Sequence, residues 1–236
     1  MRPVVRGPRP QAEGVDIEFK EYPQARAELI ERMGEFCSYC EMHLDSSLAV
    51  EHVQPKQPPG AAAVDHVRAL SWNNFLLACT NCNSTKGDTD VDLSQYLWPD
   101  RDNTFRALQY SEGGIVSPAL DGDLKEKAEN TIKLTGLDKH PLNDPKASDR
   151  RWKNRRETWD VAVRSKKNLE ECDCPAMRDQ IELTAIGHGY WSIWMTVFKE
   201  DPDMLRRFIH AFKGTCTDCF EIAAGCGAVA RAGGSC

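Results

Sequence analysis

The chain has 236 residues, of which 41% are hydrophobic and 28% are charged. This composition excludes wholesale disorder, and the length allows a sizeable core in one large domain or two small ones. The net charge of −6 argues against a protein that coats nucleic acid through its overall field, although a local basic groove stays possible. No secretion signal follows the basic opening MRPVVRGPRP, and no apolar run is long enough to span a membrane. We therefore expect a cytoplasmic protein with no membrane partner.

The first hundred residues predict a small module of one helix and short strands. Helical spacing covers EYPQARAELIERMGEF, residues 21–36, and Gly34 is a plausible end of that helix. LAVEHV, residues 48–53, is a short strand candidate, and the following segment around Pro58 and Gly60 is a loop. A second apolar run, LSWNNFLLACTNC, closes the module.

After about Trp98 the pattern becomes mainly helical. Turn signals in SEGGIVSPALDGD surround a possible hairpin strand. Helical patterns then follow at residues 124–137, 148–171, 175–198 and 201–224. The sequence thus predicts an α+β fold, with a module at residues 1–105 that has its own N-terminal extension and helix, followed by a helical domain at residues 106–236.

Two pairs of cysteines share the same spacing, Cys37-x2-Cys40 and Cys79-x2-Cys82. A reducing compartment keeps thiols free of disulfides, so four thiolates in two chelating turns point to a tetrahedral zinc site. Such a site has no vacant position, and we interpret it as structural. Four unrelated buried cysteines are the alternative.

The role of six further cysteines stays open. Cys216-x2-Cys219 with Cys226 and Cys236 could form another metal site, but the segment TCTDCFEIAAGC is more typical of a helix that carries Cys as a small apolar residue. Cys172 and Cys174, in the segment ECDCP, are expected in a loop.

An acid, an imidazole and a carboxamide accompany the cysteine pairs. Glu51 and His52 lie between the pairs, and Asn83 directly follows the second pair. Hydrolysis of a phosphodiester needs a base to deprotonate water and a hard divalent cation to offset charge on the phosphate. Imidazole suits the first task near neutral pH, and carboxylate and amide oxygens suit the second.

The stretch CSYC…LAVEHVQPK…WNNFLLACTNCNSTKG, within residues 37–88, resembles the HNH endonuclease family. The resemblance implies a zinc-stabilised ββα-metal fold that holds a catalytic Mg²⁺ or Mn²⁺ ion. It implies that His52 is the general base, that Glu51 and Asn83 bind the ion, that Asn74 orients the loop that polarises His52, and that Lys86 contacts phosphate. Glu51 stands where Asp is common, and Asn83 stands where many members carry His.

Each of these residues also has a purely structural interpretation. His52 could be a core histidine with satisfied hydrogen bonds, Asn74 a turn or cap residue, and Lys86 a solvated charge at a helix end. For the module as a whole, the alternative is a zinc-stabilised domain that binds nucleic acid or a protein partner without cutting.

A basic, aromatic-flanked segment, DRRWKNRRETW, begins at Asp149. Arg151, Lys153 and Arg155 are candidate DNA contacts, because a basic surface beside tryptophans suits phosphate binding. The alternative is a solvated helix face whose tryptophans lie in the core.

Beyond the motif, segments such as NTIKLTGLD, YWSIWM and FKGTCTDCF look like the HNH nuclease subunit of Septu-type anti-phage systems and their retron-associated relatives. That resemblance implies a DNA endonuclease acting on phage or plasmid DNA, within a hetero-oligomer that includes an SMC-like ATPase. The helical half would then supply part of the docking surface for the ATPase.

Overall fold

A computed structural model describes residues 1–143 and 149–236 of the chain. Strand β1 (Ala49–His52) and strand β2 (Phe75–Ala78) form an antiparallel hairpin that pairs Glu51 with Leu76 and His52 with Phe75. All four residues of β2 are buried. The helix α3 (Thr80–Lys86) begins two residues after β2, so the hairpin and this helix form a ββα unit.

Two short helices flank this unit. Helix α1 (Arg26–Met33) follows a single 3-10 turn and ends at Gly34, as predicted, because Gly34 adopts a φ of 75°. Helix α2 (His66–Leu70) is capped by the carboxylate of Asp65, which accepts hydrogen bonds from two backbone N–H groups of its first turn. It lies in the connection between β1 and β2, so its position affects the surroundings of the residues at the end of β1.

The rest of the chain packs helices around a second hairpin. Strands β3 (Leu108–Ser111) and β4 (Ile115–Pro118) pair antiparallel, which confirms the hairpin expected here. The remaining helices are α4 (Thr104–Ala107), α5 (Asp123–Thr135), α6 (Arg151–Glu171), α7 (Pro175–His188), α8 (Trp191–Val197) and α9 (Pro202–Ala211). The α+β class, with a helical region behind the first module, is confirmed.

Two of the helical predictions need correction. The pattern at residues 175–198 is two helices, because Gly189 and Tyr190 break it with φ values of 73° and 55°. The pattern at residues 201–224 is helical only as far as Ala211. The segment around Cys216 to Cys226 is therefore not a helix but consists of short turns and two-residue strands.

Buried residues from both segments belong to one hydrophobic core, and the rings of Phe36 and Phe212 lie 5.0 Å apart within it. The predicted boundary at residue 105 therefore marks a change of sequence pattern. The division of the chain into two domains there stays a prediction. Among the described residues, the structure contains no helix with the length and apolar character of a membrane span.

Candidate active site and thiolate cluster

The four cysteines of the two CxxC pairs converge on one point. Their Sγ atoms all lie within 4.8 Å of one another, and those of Cys40 and Cys79 are 3.7 Å apart. Tetrahedral coordination with Zn–S bonds of about 2.3 Å places neighbouring sulfurs about 3.8 Å apart. The donor set and its spacing therefore fit a zinc ion. All four residues are buried, which suits a structural site.

Arg151, at the start of α6, contacts this cluster directly. Its guanidinium donates to Cys82 Sγ at 2.8 Å and to the carbonyl oxygens of Thr135 and Gly136 at 2.8 and 3.1 Å. Its Nε atom also lies 2.9 Å from an oxygen of Asp149. The side chain is only 1% exposed. Arg151 therefore places a positive charge beside the thiolates and has no free face for DNA.

The prediction of DNA contact is wrong for Arg151 and Arg155, because both guanidinium groups are buried. Arg155 is 0% exposed and donates to the carbonyl oxygens of Gly114 and Leu137 at 2.8 and 2.9 Å. Lys153 is exposed and lies 3.6 Å from Glu157, so DNA contact through Lys153 stays a prediction. Periodicity placed the two arginines on one face of the helix but could not tell that this face points inward.

The acid, the imidazole and the carboxamide meet in one cleft beside the ββα unit. Glu51 and His52 come from the end of β1 and Asn83 from α3, and all three line a cavity of about 440 Å³. The hairpin and the helix therefore both contribute to the lining of one site. The roles that the family resemblance implies for these three residues stay a prediction.

His52 is held in a defined orientation. Its Nε2 atom lies 3.1 Å from the carbonyl oxygen of Ala69, and its ring packs edge-on against Tyr22 and Phe75 at 4.8 and 5.3 Å. A carbonyl only accepts, so Nε2 carries the proton and Nδ1 has the free lone pair. Burial of the ring lowers the pKa of His52. The neutral imidazole is therefore favoured, with Nδ1 as its basic nitrogen.

Asn74 connects the two chain segments that flank the imidazole. Its side-chain oxygen accepts from the N–H of Gln54 at 2.8 Å, and its amide donates to the carbonyl oxygens of Gln54 and Arg68 at 2.8 and 2.9 Å. Arg68 directly precedes the residue whose carbonyl contacts His52. Asn74 thus links the chain after β1 to α2, and its orienting role stays a prediction.

Glu51 forms a buried ion pair with Lys86. The Lys86 ammonium lies 2.9 Å from Glu51 Oε1 and donates to the backbone carbonyl of His52 at 2.7 Å. The two side chains are 3% and 1% exposed. Burial raises the pKa of the Glu51 carboxyl, and the neighbouring ammonium opposes that shift. Lys86 therefore contacts Glu51 and not the open cleft from which a phosphate would approach. The residues around Lys86 in the sequence do not indicate that its side chain is buried.

The lining of the cleft also includes Tyr22, Lys56 and Asp88, to which the motif assigned no role. Tyr22 precedes α1, Lys56 follows β1 with its ammonium 4.3 Å from the centre of the Tyr22 ring, and Asp88 follows α3. Lys56 ends the motif segment LAVEHVQPK and Asp88 directly follows NSTKG, so proximity in sequence could have suggested both residues. Tyr22 lies 30 residues before His52, and only the packing of the folded chain brings the two together.

The hairpin, the following helix and the thiolate cluster define a ββα-metal module with a candidate hydrolytic cleft. The model of the HNH endonuclease family matches residues 37–89, so this segment carries an HNH domain, as its resemblance predicted. The chain is also similar to the Septu protein PtuB of Bacillus mycoides (strain KBAB4), with 24% identity over 140 residues. That alignment covers 47% of this chain and 45% of PtuB, so it spans less than half the length of this relative. It supports the wider resemblance to Septu proteins.

Proposed function

We propose that this protein is a metal-dependent DNA endonuclease whose HNH domain hydrolyses phosphodiester bonds. The observation that carries the proposal is the meeting of Glu51, His52 and Asn83 in one cleft, within the segment that matches the HNH family. A domain that only binds has no need of an ion-binding acid next to an oriented base. The catalytic alternative is therefore favoured over a binding module.

The cleft offers suitable ligands for a hard divalent cation. A carboxylate on Glu51 and an amide oxygen on Asn83 are donors of the type that Mg²⁺ and Mn²⁺ prefer, and magnesium needs few protein ligands. Glu51 Oε1 is buried and lies 2.9 Å from the Lys86 ammonium. A carboxylate has about four lone-pair sites, so one ammonium does not exhaust its capacity to accept a cation. A cation held there would neutralise charge on the phosphate and on the leaving oxygen.

His52 supplies the general base in this proposal. Its Nδ1 atom accepts a proton from a water molecule while the water oxygen forms a bond to phosphorus. The bond from phosphorus to the 3′ oxygen breaks, and that oxygen leaves as an alkoxide and takes up a proton from solvent water, so the products carry 5′-phosphate and 3′-hydroxyl ends. The carbonyl of Ala69 holds the opposite side of the ring and stabilises the imidazolium that forms. Asn74 acts as a positioning residue, because it fixes the chain on both sides of the ring.

The thiolate cluster has a structural role in the same proposal. Zinc held by Cys37, Cys40, Cys79 and Cys82 would fix the start of α3 relative to the turn before β1, because the pairs lie at those two places. Structural zinc of this kind contributes about 10 kcal/mol to folding. The cluster sets the separation of the cleft walls and takes no part in the reaction.

The similarity to a Septu protein supports a role as the nuclease of an anti-phage system that cuts phage or plasmid DNA. In this proposal the chain acts within a hetero-oligomer that includes an SMC-like ATPase, and the helical half docks the ATPase while exposed Lys153 contacts DNA. Co-purification with that ATPase, retained in a His52→Ala variant, is the expected result. A chain that remains alone when both proteins are expressed together contradicts this assignment.

The decisive experiment on the site compares His52→Ala with His210→Ala, a substitution of an exposed histidine on α9. We expect His52→Ala to abolish nicking of plasmid DNA in Mg²⁺ or Mn²⁺ while its zinc content and circular dichroism stay unchanged. His210→Ala should cut normally. Equal cleavage by both variants would falsify the role of His52, and DNA binding without any cleavage by the unmodified protein would favour the binding module.

A further inference from the structure

Lys86 places a positive charge against the carboxylate that the proposed cation needs. The ammonium lies 2.9 Å from Glu51 Oε1, deep in the wall of the cleft, and its hydrogen bond to the carbonyl of His52 fixes it there. At 1% exposure, the side chain has no solvated alternative position without local rearrangement. The pair also joins the end of β1 to the last residue of α3.

The charges around the cleft therefore sum to no net negative charge. Glu51 and Lys86 cancel each other, and the other charged residues that line the cleft, Lys56 and Asp88, carry one positive and one negative charge. Asn83 is uncharged, and an imidazole adds no negative charge in either protonation state. A protein site that captures Mg²⁺ or Mn²⁺ unaided relies on carboxylate charge, which here is already matched by ammonium groups.

A DNA phosphate would supply the negative charge that the protein side of the site lacks. Magnesium commonly completes its shell with substrate phosphate when it has only one or two carboxylate ligands. From the Glu51–Lys86 pair we infer that the cleft binds its catalytic cation weakly when alone, and that cation and DNA bind with strong positive coupling. Because coupling is reciprocal, the cation strengthens DNA binding by the same factor. This inference rests on the proposed nuclease function and adds a mechanism by which substrate controls the loading of the site.

The experiment measures free Mn²⁺ by electron paramagnetic resonance in titrations of the full-length zinc-loaded protein. The His52→Ala variant is used throughout, so that a short DNA duplex stays intact. We expect the duplex to lower the Kd for Mn²⁺ at least about tenfold, which lies within the usual range of coupling between sites. Equal Kd values with and without the duplex overturn the inference.

Lys86→Met, added to the same background, removes the charge but keeps most of the length of the side chain. We expect it to bind Mn²⁺ about tenfold more tightly in the absence of DNA and to lose most of the coupling. Mn²⁺ should also raise its Tm more than that of the parent, since the cation replaces the missing partner of Glu51. If Lys86→Met binds Mn²⁺ without DNA with the same Kd as the parent, Lys86 does not weaken cation binding and the inference is contradicted.

The matched control is Lys139→Met. Lys139 contacts α3 through Thr85 Oγ1 at 3.1 Å but does not line the cleft, so its removal should leave both Kd values unchanged. If the Lys86→Met protein does not fold, the Kd values for Mn²⁺ of the His52→Ala parent with and without DNA still decide the question. If the unmodified protein cleaves through His52 but shows no coupling, the nuclease proposal stands and this inference fails. Absence of both cleavage and Mn²⁺ binding defeats the proposed function itself.

Discussion

Replacement of Arg151 by Met should weaken both the fold and the hold on zinc. The side chain is 1% exposed and donates to a thiolate, two backbone carbonyls and the carboxylate of Asp149, which is itself only 11% exposed. Removal of one member of a buried charged pair costs about 3–5 kcal/mol, because the other charge stays buried without a partner. Loss of an outer contact to a metal ligand typically weakens metal binding about 10–100-fold.

Two measurements separate these effects. Urea unfolding of the zinc-loaded protein gives the change in the free energy of unfolding, and competition with a colorimetric chelator gives the zinc affinity. The control is Arg155→Met, one helical turn further along α6. Arg155 is equally buried, but its hydrogen bonds go to the carbonyl oxygens of Gly114 and Leu137 and to no thiolate.

Both variants should lose stability, since each leaves buried acceptors without donors at about 1–3 kcal/mol for each group. Only Arg151→Met should release zinc more readily from the folded protein. If the two variants hold zinc equally well at equal folded fraction, the contact with Cys82 has no electrostatic role. The charge of Arg151 then does not stabilise zinc binding, although the packing role of its side chain remains.

Two other predictions follow from close contacts. Asn74→Ala should cost about 2–3 kcal/mol of stability, because it removes buried hydrogen bonds, and should lower kcat with little change in Mn²⁺ affinity. Asn73 is exposed, so Asn73→Ala should change neither stability nor kcat. Equal kcat values for the two variants would contradict the positioning role of Asn74. Gly214→Ala should cost at least about 3 kcal/mol in thermal or urea unfolding, since its φ is +75° and a Cβ would lie 2.3 Å from the carbonyl oxygen of Arg32. Gly187→Ala, in α7 with open space around it, should instead stabilise by about 0.5 kcal/mol, and a loss there would show that glycine is needed for another reason.

The part of the fold that sequence predicted well is the part fixed by short-range chemistry. CxxC turns set two sulfurs at chelating distance, and the apolar runs around them are short enough to be strands. Those features predicted β1 and the thiolate cluster. The pairing of β1 with β2 and the approach of Glu51, His52 and Asn83 to one cleft were implied by the resemblance to the HNH family. The spacing of metal-binding turns constrains the chain between them, so little information from distant residues was needed.

Features that depend on distant contacts could not be predicted in this way. The break between α7 and α8 occurs because Gly189 forms a bridge to Met42, and a Cβ at Gly189 would lie 2.6 Å from the carbonyl oxygen of Glu41. Nearly 150 residues separate these partners, and the helical pattern around Gly189 has no sign of them. The same holds for Ser192, whose backbone N–H donates to the buried carboxylate of Glu41 at 3.0 Å.

The basic segment of α6 gives the clearest physical reason for such failures. Four thiolates around one Zn²⁺ leave a net negative charge, and in a buried site that charge favours a nearby cation. Arg151 meets this need from the helical half, so a residue that looked suited to DNA phosphate instead offsets charge inside the protein. Since Lys86 is also paired internally, Lys56 is the one lysine or arginine among the described residues that line the cleft. In an acidic chain, attraction of a DNA phosphate to the cleft would then come chiefly from the divalent cation, which is why cation and substrate should bind together.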